Sequence, residues 1–539
     1  LDLILLNGKF ETMNSLNPRA EAVAIVKGKF YKVGSNEEVL QLKSSDTKII
    51  DLKGNMVVPG FNDSHMHLAM FGSNLLECDL VGTESVDDII ERMQDFIQKN
   101  KIEPGRWVTG KGWNEDYFNI RMLPTRYDLD KISTEHNICL TRACYHTCVV
   151  NSKGLETAGV TKDNVQIEGG RFEVDEKGVP IGICREKALK YIYSKLPSYN
   201  VEDIKKMIRS ASDCAVSKGL TSIQTDDFML PGVEFEQILE AYKELHDSGE
   251  LKVRIYEQCL LPTMDKLQHF LEKGCRTGEG DEYFKFGPLK LLADGSLGPR
   301  TAYLREPYAD QPSTSGIPAY SQDGLNEIVK KAHDAGMQIA VHCIGDKAMY
   351  MVFEAFENAC VQNPRKDPRH TVVHCQITDE ILLDKFREDN VVATIQPIFL
   401  NYDLHMAEGR IGKERVKTSY NWKSLFDRGV HVACGSDCPV EPFDVLPGIY
   451  AAVTRKDLKG YPENGWLPEQ KLSVYQALYG FTLGSAYASF EENIKGSIEE
   501  GKLADMAVLS DDIYQIEPDK IKDVEVMMTF VNGKLVYKK

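Results

Sequence analysis

The feature that most constrains this chain is a rhythm running from about residue 59 to residue 489. Short apolar runs alternate there with amphipathic stretches such as Leu325–Ala335 and Ala348–Cys360. Alternation of this kind implies βα units, whose strands lie parallel in one sheet. Eight runs qualify as strands: Val57–His67, Thr221–Asp226, Val253–Cys259, Phe286–Ala293, Gln338–Gly345, His370–Gln376, Val392–Pro397 and His431–Asp437. Eight βα units spell an α/β fold of the (β/α)8, or TIM-barrel, type. Reactive residues in such a barrel stand at the C-terminal ends of the strands.

The flanks break the rhythm. Asn7-Gly8 near the start and Asn532-Gly533 near the end each separate two apolar runs, a strong short hairpin signal. Residues 1–58 and 490–539 are therefore expected to form one small β-sandwich around the 59–489 barrel. Between the first two barrel strands lie about 150 residues, far more than a βα connection needs. Residues 72–205 read as an inserted lid subdomain over the barrel mouth, with strand signals of its own at Trp107–Trp113 and Ile138–Tyr145.

Charge narrows the partners. With 64 basic and 81 acidic residues the formal net charge is −17, which argues against nucleic-acid and anionic-membrane surfaces. No apolar run approaches the roughly 18–20 residues of a membrane span. The opening Leu1–Leu6 has no basic leader and reads as a strand rather than a signal peptide. Thirteen cysteines, an odd number without a framework spacing, fit a reducing cytoplasm. A small-molecule substrate is the expected partner, and nothing here speaks against a homo-oligomer.

Chemistry concentrates at the strand ends. The first run closes Asp63-Ser64-His65-Met66-His67, and residues i and i+2 of a strand share a face, so His65 and His67 point together. Alone, that pair is equally well explained as ordinary polar strand-end residues. The fifth, sixth and eighth runs, however, end in His342, His374 and Asp437, again at the level where barrel sites are built. The fourth carries Lys290 inside an apolar segment, where an ammonium is costly unless paired or chemically changed. Cys343 and Cys375 follow two of the histidines, and alternation turns them away as packing residues.

These residues, in this order, resemble the amidohydrolase superfamily. Its pattern is H-x-H on strand 1, a carboxylated lysine on strand 4, histidines on strands 5 and 6, and aspartate on strand 8. The flanking Val58-Pro59-Gly60-Phe61 and the return Gly496–Asp505 are similar as well. Gly110-Lys111-Gly112-Trp113, Asp294-Gly295-Ser296-Leu297-Gly298-Pro299-Arg300 and Gly435-Ser436-Asp437-Cys438-Pro439 resemble the YtcJ-like branch, which includes N-substituted formamide deformylase. Asn114 and Cys144-Tyr145-His146 depart from that branch's usual residues.

The resemblance implies a metal-dependent hydrolase that cleaves a non-peptide C–N bond, an amide, with a metal-activated hydroxide. Two divalent metal ions, zinc by expectation, would be held by His65, His67, Asp437, His342 and His374, with a carboxylated Lys290 bridging. Asp437 would be catalytic, moving the proton from the attacking water to the leaving nitrogen. Asp63 would orient one histidine. Trp113, His146, Asp294 and Arg300 are candidate substrate contacts, each with a plain structural alternative. Hydrolysis of a cyclic amide, an amidine or an ester fits the same ligands, and a non-catalytic binding barrel is the rival of another class.

Overall fold

The computed structural model describes residues 1–143, 147–167 and 169–539. The chain divides into two compact units, Leu1–Met70 with Ile208–Lys539, and Phe71–Met207.

The first unit contains an eight-stranded parallel barrel. Its strands are Phe61–Met66, Leu220–Thr225, Arg254–Leu260, Phe284–Leu292, Ile339–Cys343, Thr371–His374, Val392–Ile395 and Val432–Cys434, hydrogen-bonded to one another in chain order. Nearly every strand residue is buried, as expected when side chains fill one face and helices cover the other. Helix Gln322–Asp334 shows how the covering layer is written in sequence. Ser321 accepts a hydrogen bond from the Gly324 N–H as N-cap, and Leu325, Ile328, Val329 and Ala332 form the buried stripe.

The seam between the last and first strands is closed just where they end. The Asp437 N–H donates to the His65 carbonyl and the His67 N–H to the Cys438 carbonyl, both at 2.7 Å. Asp63 adds a clamp: its carboxylate accepts from the Ser436 N–H at 3.1 Å and from the Ser436 hydroxyl at 2.6 Å. The residues that close the barrel seam are those that carry the strand-end cluster or adjoin it.

Two expectations are corrected here. The first barrel strand does not start at Val57. Met56–Pro59 belongs to a six-stranded terminal sheet, pairing with Met506–Leu509 and Lys9–Glu11. The chain crosses into the barrel at Gly60, where a Cβ would lie 2.2 Å from the Thr221 hydroxyl oxygen.

Nor is Asn7-Gly8 a hairpin. Leu3–Leu6 lies in a four-stranded sheet and Lys9–Glu11 in the six-stranded one, so the dipeptide carries the chain between layers. Gly8 serves close packing there, since a Cβ would meet the Phe10 ring at 2.5 Å. Asn532-Gly533, with φ of 50° and 67°, does form the expected tight hairpin, Val531 facing Lys534. The two terminal sheets enclose Leu5, Phe10, Val23, Phe30, Val57, Met506 and Phe530 as their shared core, so the sandwich draws on both ends of the chain.

The unit Phe71–Met207 is a mixed seven-stranded sheet. Its strands Trp107–Trp113 and Asn137–Arg142 run parallel, and helix Val86–Lys99 adds Ile89 and Met93 to the core. Among the described residues no helix is long and apolar enough to cross a membrane.

Candidate metal centre

Six side chains, five of them buried and His342 half-buried, converge toward the C-terminal ends of the barrel strands. Nε2 of His65 and Nε2 of His67 lie 3.2 and 3.1 Å from the same Asp437 oxygen, and one donor atom from each of the three residues falls within 4.8 Å of the others. His374 joins them, its ring centroid 5.7 Å from that of His65 and 4.5 Å from that of His342. Lys290 is buried as well, its Nζ 3.8 Å from Asp226 Oδ2. The backbone is twisted at this level: His374, Cys375 and Asp437 have φ of 84°, 49° and 60°. Left-handed backbone at non-glycine residues costs of order 1–3 kcal/mol each and persists where the surroundings over-determine it.

Hydrogen bonding fixes which nitrogen of each ring remains free. His65 Nδ1 lies 2.6 Å from Gln258 Oε1, whose amide nitrogen is occupied in donating to the Ser64 carbonyl. His67 Nδ1 lies 3.1 Å from the Asp226 carbonyl. His374 Nδ1 lies 2.8 Å from Gln396 Oε1, and His342 Nε2 lies 2.8 Å from the Gly295 carbonyl. Each partner is an acceptor, so each imidazole donates an N–H outward and turns its other nitrogen toward the cluster. Metal-binding histidines are held in this way.

For His65 and His67 the consequence is sharp. Two lone pairs and a carboxylate oxygen meet at about hydrogen-bond distance, an arrangement that repels unless a cation sits among them. In the metal-free protein a proton must serve. His67 is raised to about 9, because the hydrogen bond and charge of Asp437 outweigh burial. Burial pulls His65 and His342 down to about 4 and His374 well below the ordinary histidine value. Asp437 is held well below the usual carboxylate range by His65 and His67 in spite of its burial. Three neutral imidazoles beside an ionised carboxylate suit a divalent cation, and His67 completes the set once a cation displaces its proton, so the donor set fits one.

The other candidates go elsewhere. Asp63 orients no imidazole: its carboxylate accepts from the backbone N–H groups of His65 and Ser436 and from the Ser436 hydroxyl, closing the seam. Trp113 is wholly buried in the apolar core of the Phe71–Met207 unit, its indole N–H without a hydrogen-bond partner. Asp294 accepts from the backbone N–H groups of Ile344, Gly345 and Tyr303, and lies 3.5 Å from His342 Nε2, so it fixes loops behind a histidine. Arg300 forms a two-pronged ion pair with Asp310, at 3.0 and 2.8 Å, which ties the loop to itself. His146 lies outside the described residues. Cys343 and Cys375 are buried, and Cys375 Sγ donates to the Val372 carbonyl at 3.2 Å.

Gln258, Gln396 and Asp226 were not singled out from the sequence. All three sit at the ends of runs already recognised as barrel strands, the same signal that marks the histidines.

A second group, His333, Cys360 and His370, also brings three donor atoms within 4.8 Å. Its hydrogen bonds are complete without a metal. The Ile339 N–H donates to His370 Nδ1, His370 Nε2–H to His333 Nδ1, and His333 Nε2–H to the Asn363 carbonyl, at 3.2, 2.8 and 2.7 Å. That relay uses every ring nitrogen, so the group is structural.

Comparison with known proteins agrees with the geometry. The model of the amidohydrolase family matches residues 48–537. YtcJ of Bacillus subtilis (strain 168), named as an amidohydrolase, is 34% identical over 99% of this chain and 98% of its own length. N-substituted formamide deformylase of Arthrobacter pascens is 25% identical over 100% of this chain and 98% of its own. The crystal structure of an uncharacterized metal-dependent hydrolase from Pyrococcus furiosus superposes with a TM-score of 0.78 at 30% identity, covering 95% of this chain and 100% of that one. Strand order, strand-end residues and full-length similarity lead to one assignment: the chain belongs to the amidohydrolase family.

Proposed function

We propose that the protein is a metal-dependent hydrolase that cleaves a non-peptide C–N bond, an amide of a small molecule. The observation that carries this reading is the meeting of the His65 and His67 Nε2 atoms with the Asp437 carboxylate, each imidazole oriented from behind by a carbonyl oxygen. His65, His67 and Asp437 would hold one divalent ion, His342 and His374 a second, and Lys290, as a carbamate, would lie between them. Zinc, when bound, lowers the pKa of water and polarises the substrate carbonyl.

The chain's own part is to position and to move a proton. Asp437 Oδ1 stands beside both His65 and His67. From there it takes the proton of the attacking water and delivers it to the departing nitrogen. Gln258 and Gln396 keep His65 and His374 from turning, which preserves the donor atoms through the cycle. Phe399 stacks on His374 at 5.8 Å and shields one face of that ring.

The name of the Arthrobacter relative supports a formamide or similar N-acyl substrate. We assign substrate selection to the Phe71–Met207 unit, because a folded insert of this length in a barrel connection is usually functional. Every described cysteine is free, which favours a reducing compartment such as the cytoplasm.

The test is release of amine from a panel of N-substituted formamides and other small N-acyl compounds. A chelator should abolish it, and zinc, manganese or cobalt should restore it. Undiminished turnover by protein shown to be metal-free would refute the proposal.

A further inference from the structure

Asp226 follows the second barrel strand directly, and its side chain is fully buried. Neither of its carboxylate oxygens has a hydrogen-bond partner. An isolated buried carboxylate is strongly unfavourable, so a partner must come from its surroundings. The ion-pair neighbour is Lys290, whose Nζ lies 3.8 Å from Asp226 Oδ2, both side chains being enclosed. Asp437, the other carboxylate acting on Lys290, is already engaged by His65 and His67. The next residue, Asp227, is buried too but fully satisfied. It accepts from the Ala69 N–H at 2.7 Å, from the Thr225 hydroxyl at 2.9 Å and from the Tyr242 hydroxyl. Of two adjacent buried aspartates, one is structural and the other is aimed at the lysine without a bond of its own.

We propose that Asp226 is the positioning residue for Lys290, pairing with its nitrogen both before and after carboxylation. This rests on the reading of Lys290 as a carbamate. In that modification the Nζ lone pair attacks the carbon of carbon dioxide and an N–C bond forms. One C=O π pair moves onto oxygen, and the original ammonium loses two protons to solvent. One N–H remains on the product. The carboxylate that neutralises the ammonium can therefore accept that N–H afterwards, which turns the new carboxylate group away from Asp226 and toward the histidines. The backbone carbonyl of the same residue holds His67 Nδ1, so Asp226 fixes two members of the cluster through two different groups.

The experiment is ¹³C NMR of protein loaded with zinc and ¹³C-bicarbonate. The parent should show a carbamate carbon resonance that Lys290→Ala abolishes. Asp226→Ala should lower it at least about tenfold at equal zinc and bicarbonate, in the range expected when a supporting hydrogen bond at a metal site is lost. Asp226→Asn, which keeps an acceptor oxygen, should recover at least half of the parent signal. Asp227→Asn should lower the melting temperature yet leave the resonance in place.

A resonance in Asp226→Ala within twofold of the parent would overturn the inference, as would equal loss in the Asp226→Ala and Asp227→Asn variants. Absence of the resonance from the parent would instead remove the carbamate reading, and this inference with it. If Asp226→Ala does not fold, a crystal structure of the zinc- and bicarbonate-loaded parent decides. Asp226 within hydrogen-bond distance of Lys290 Nζ supports the pairing, and Nζ–H donated elsewhere refutes it.

Discussion

Four histidines at the strand ends each give one N–H to a carbonyl oxygen and turn the other nitrogen toward the cluster, and chemistry at the scale of single residues follows from that division. His67, raised to about 9 by Asp437 against the effect of burial, carries a proton at pH 7 in the metal-free protein. A cation that takes Nε2 must displace it. In buffer freed of carbon dioxide, where Lys290 stays unmodified, zinc binding at pH 7 should release the His67 proton, and affinity should fall about tenfold per pH unit as pH drops below about 9. Calorimetric titration in buffers of different ionisation enthalpy reads both, and binding without proton release would contradict the ring assignments. Gln258→Ala frees the His65 ring to turn, so zinc affinity should weaken by roughly 10–100-fold with little change in fold. Asp437→Asn keeps shape and removes the proton acceptor. At matched metal occupancy its catalytic rate should drop by roughly 10²–10⁴, and a rate within threefold of the parent would exclude the proton role.

At the scale of elements, the barrel seam and the inserted sheet make separate demands. Asp63 and Ser436 join the first strand to the residues after the last, so Ser436→Ala leaves a buried carboxylate short of a donor. Urea denaturation should show a loss of roughly 1–3 kcal/mol, and no loss would mean the seam is held by its backbone bonds alone. Trp113 sits among Leu80, Met93, Val108 and Leu140 in the insert's core. Trp113→Ala should destabilise that unit by roughly 3–5 kcal/mol without altering the ratio of rates on two substrates. A tryptophan in a long barrel insert looks like a substrate contact when read along the chain. Its burial depends on packing against residues spread from Cys78 to Ile183, and local pattern does not carry that information.

Across the whole molecule, what the sequence revealed and what it hid divide along the same line. The βα rhythm is local, and so were the eight strands, the helices between them and the polar residues that end each strand. The contrast between Asn7-Gly8 and Asn532-Gly533 is not local. The same dipeptide crosses between sheets at one end of the chain and turns a hairpin at the other, according to which distant strands claim its flanks. Likewise the ligand-type histidines could be read directly, whereas the groups that orient them, Gln258, Gln396 and two backbone carbonyls, become visible only once the barrel closes. The central claim is that this closure builds a metal centre. Elemental analysis after equilibration with zinc and removal of the excess tests it most directly, comparing the parent with a His65→Ala, His67→Ala double variant. The account predicts two zinc ions per parent chain and no more than one in the variant. A parent chain that retains none, or a variant that retains as many as the parent, would contradict it.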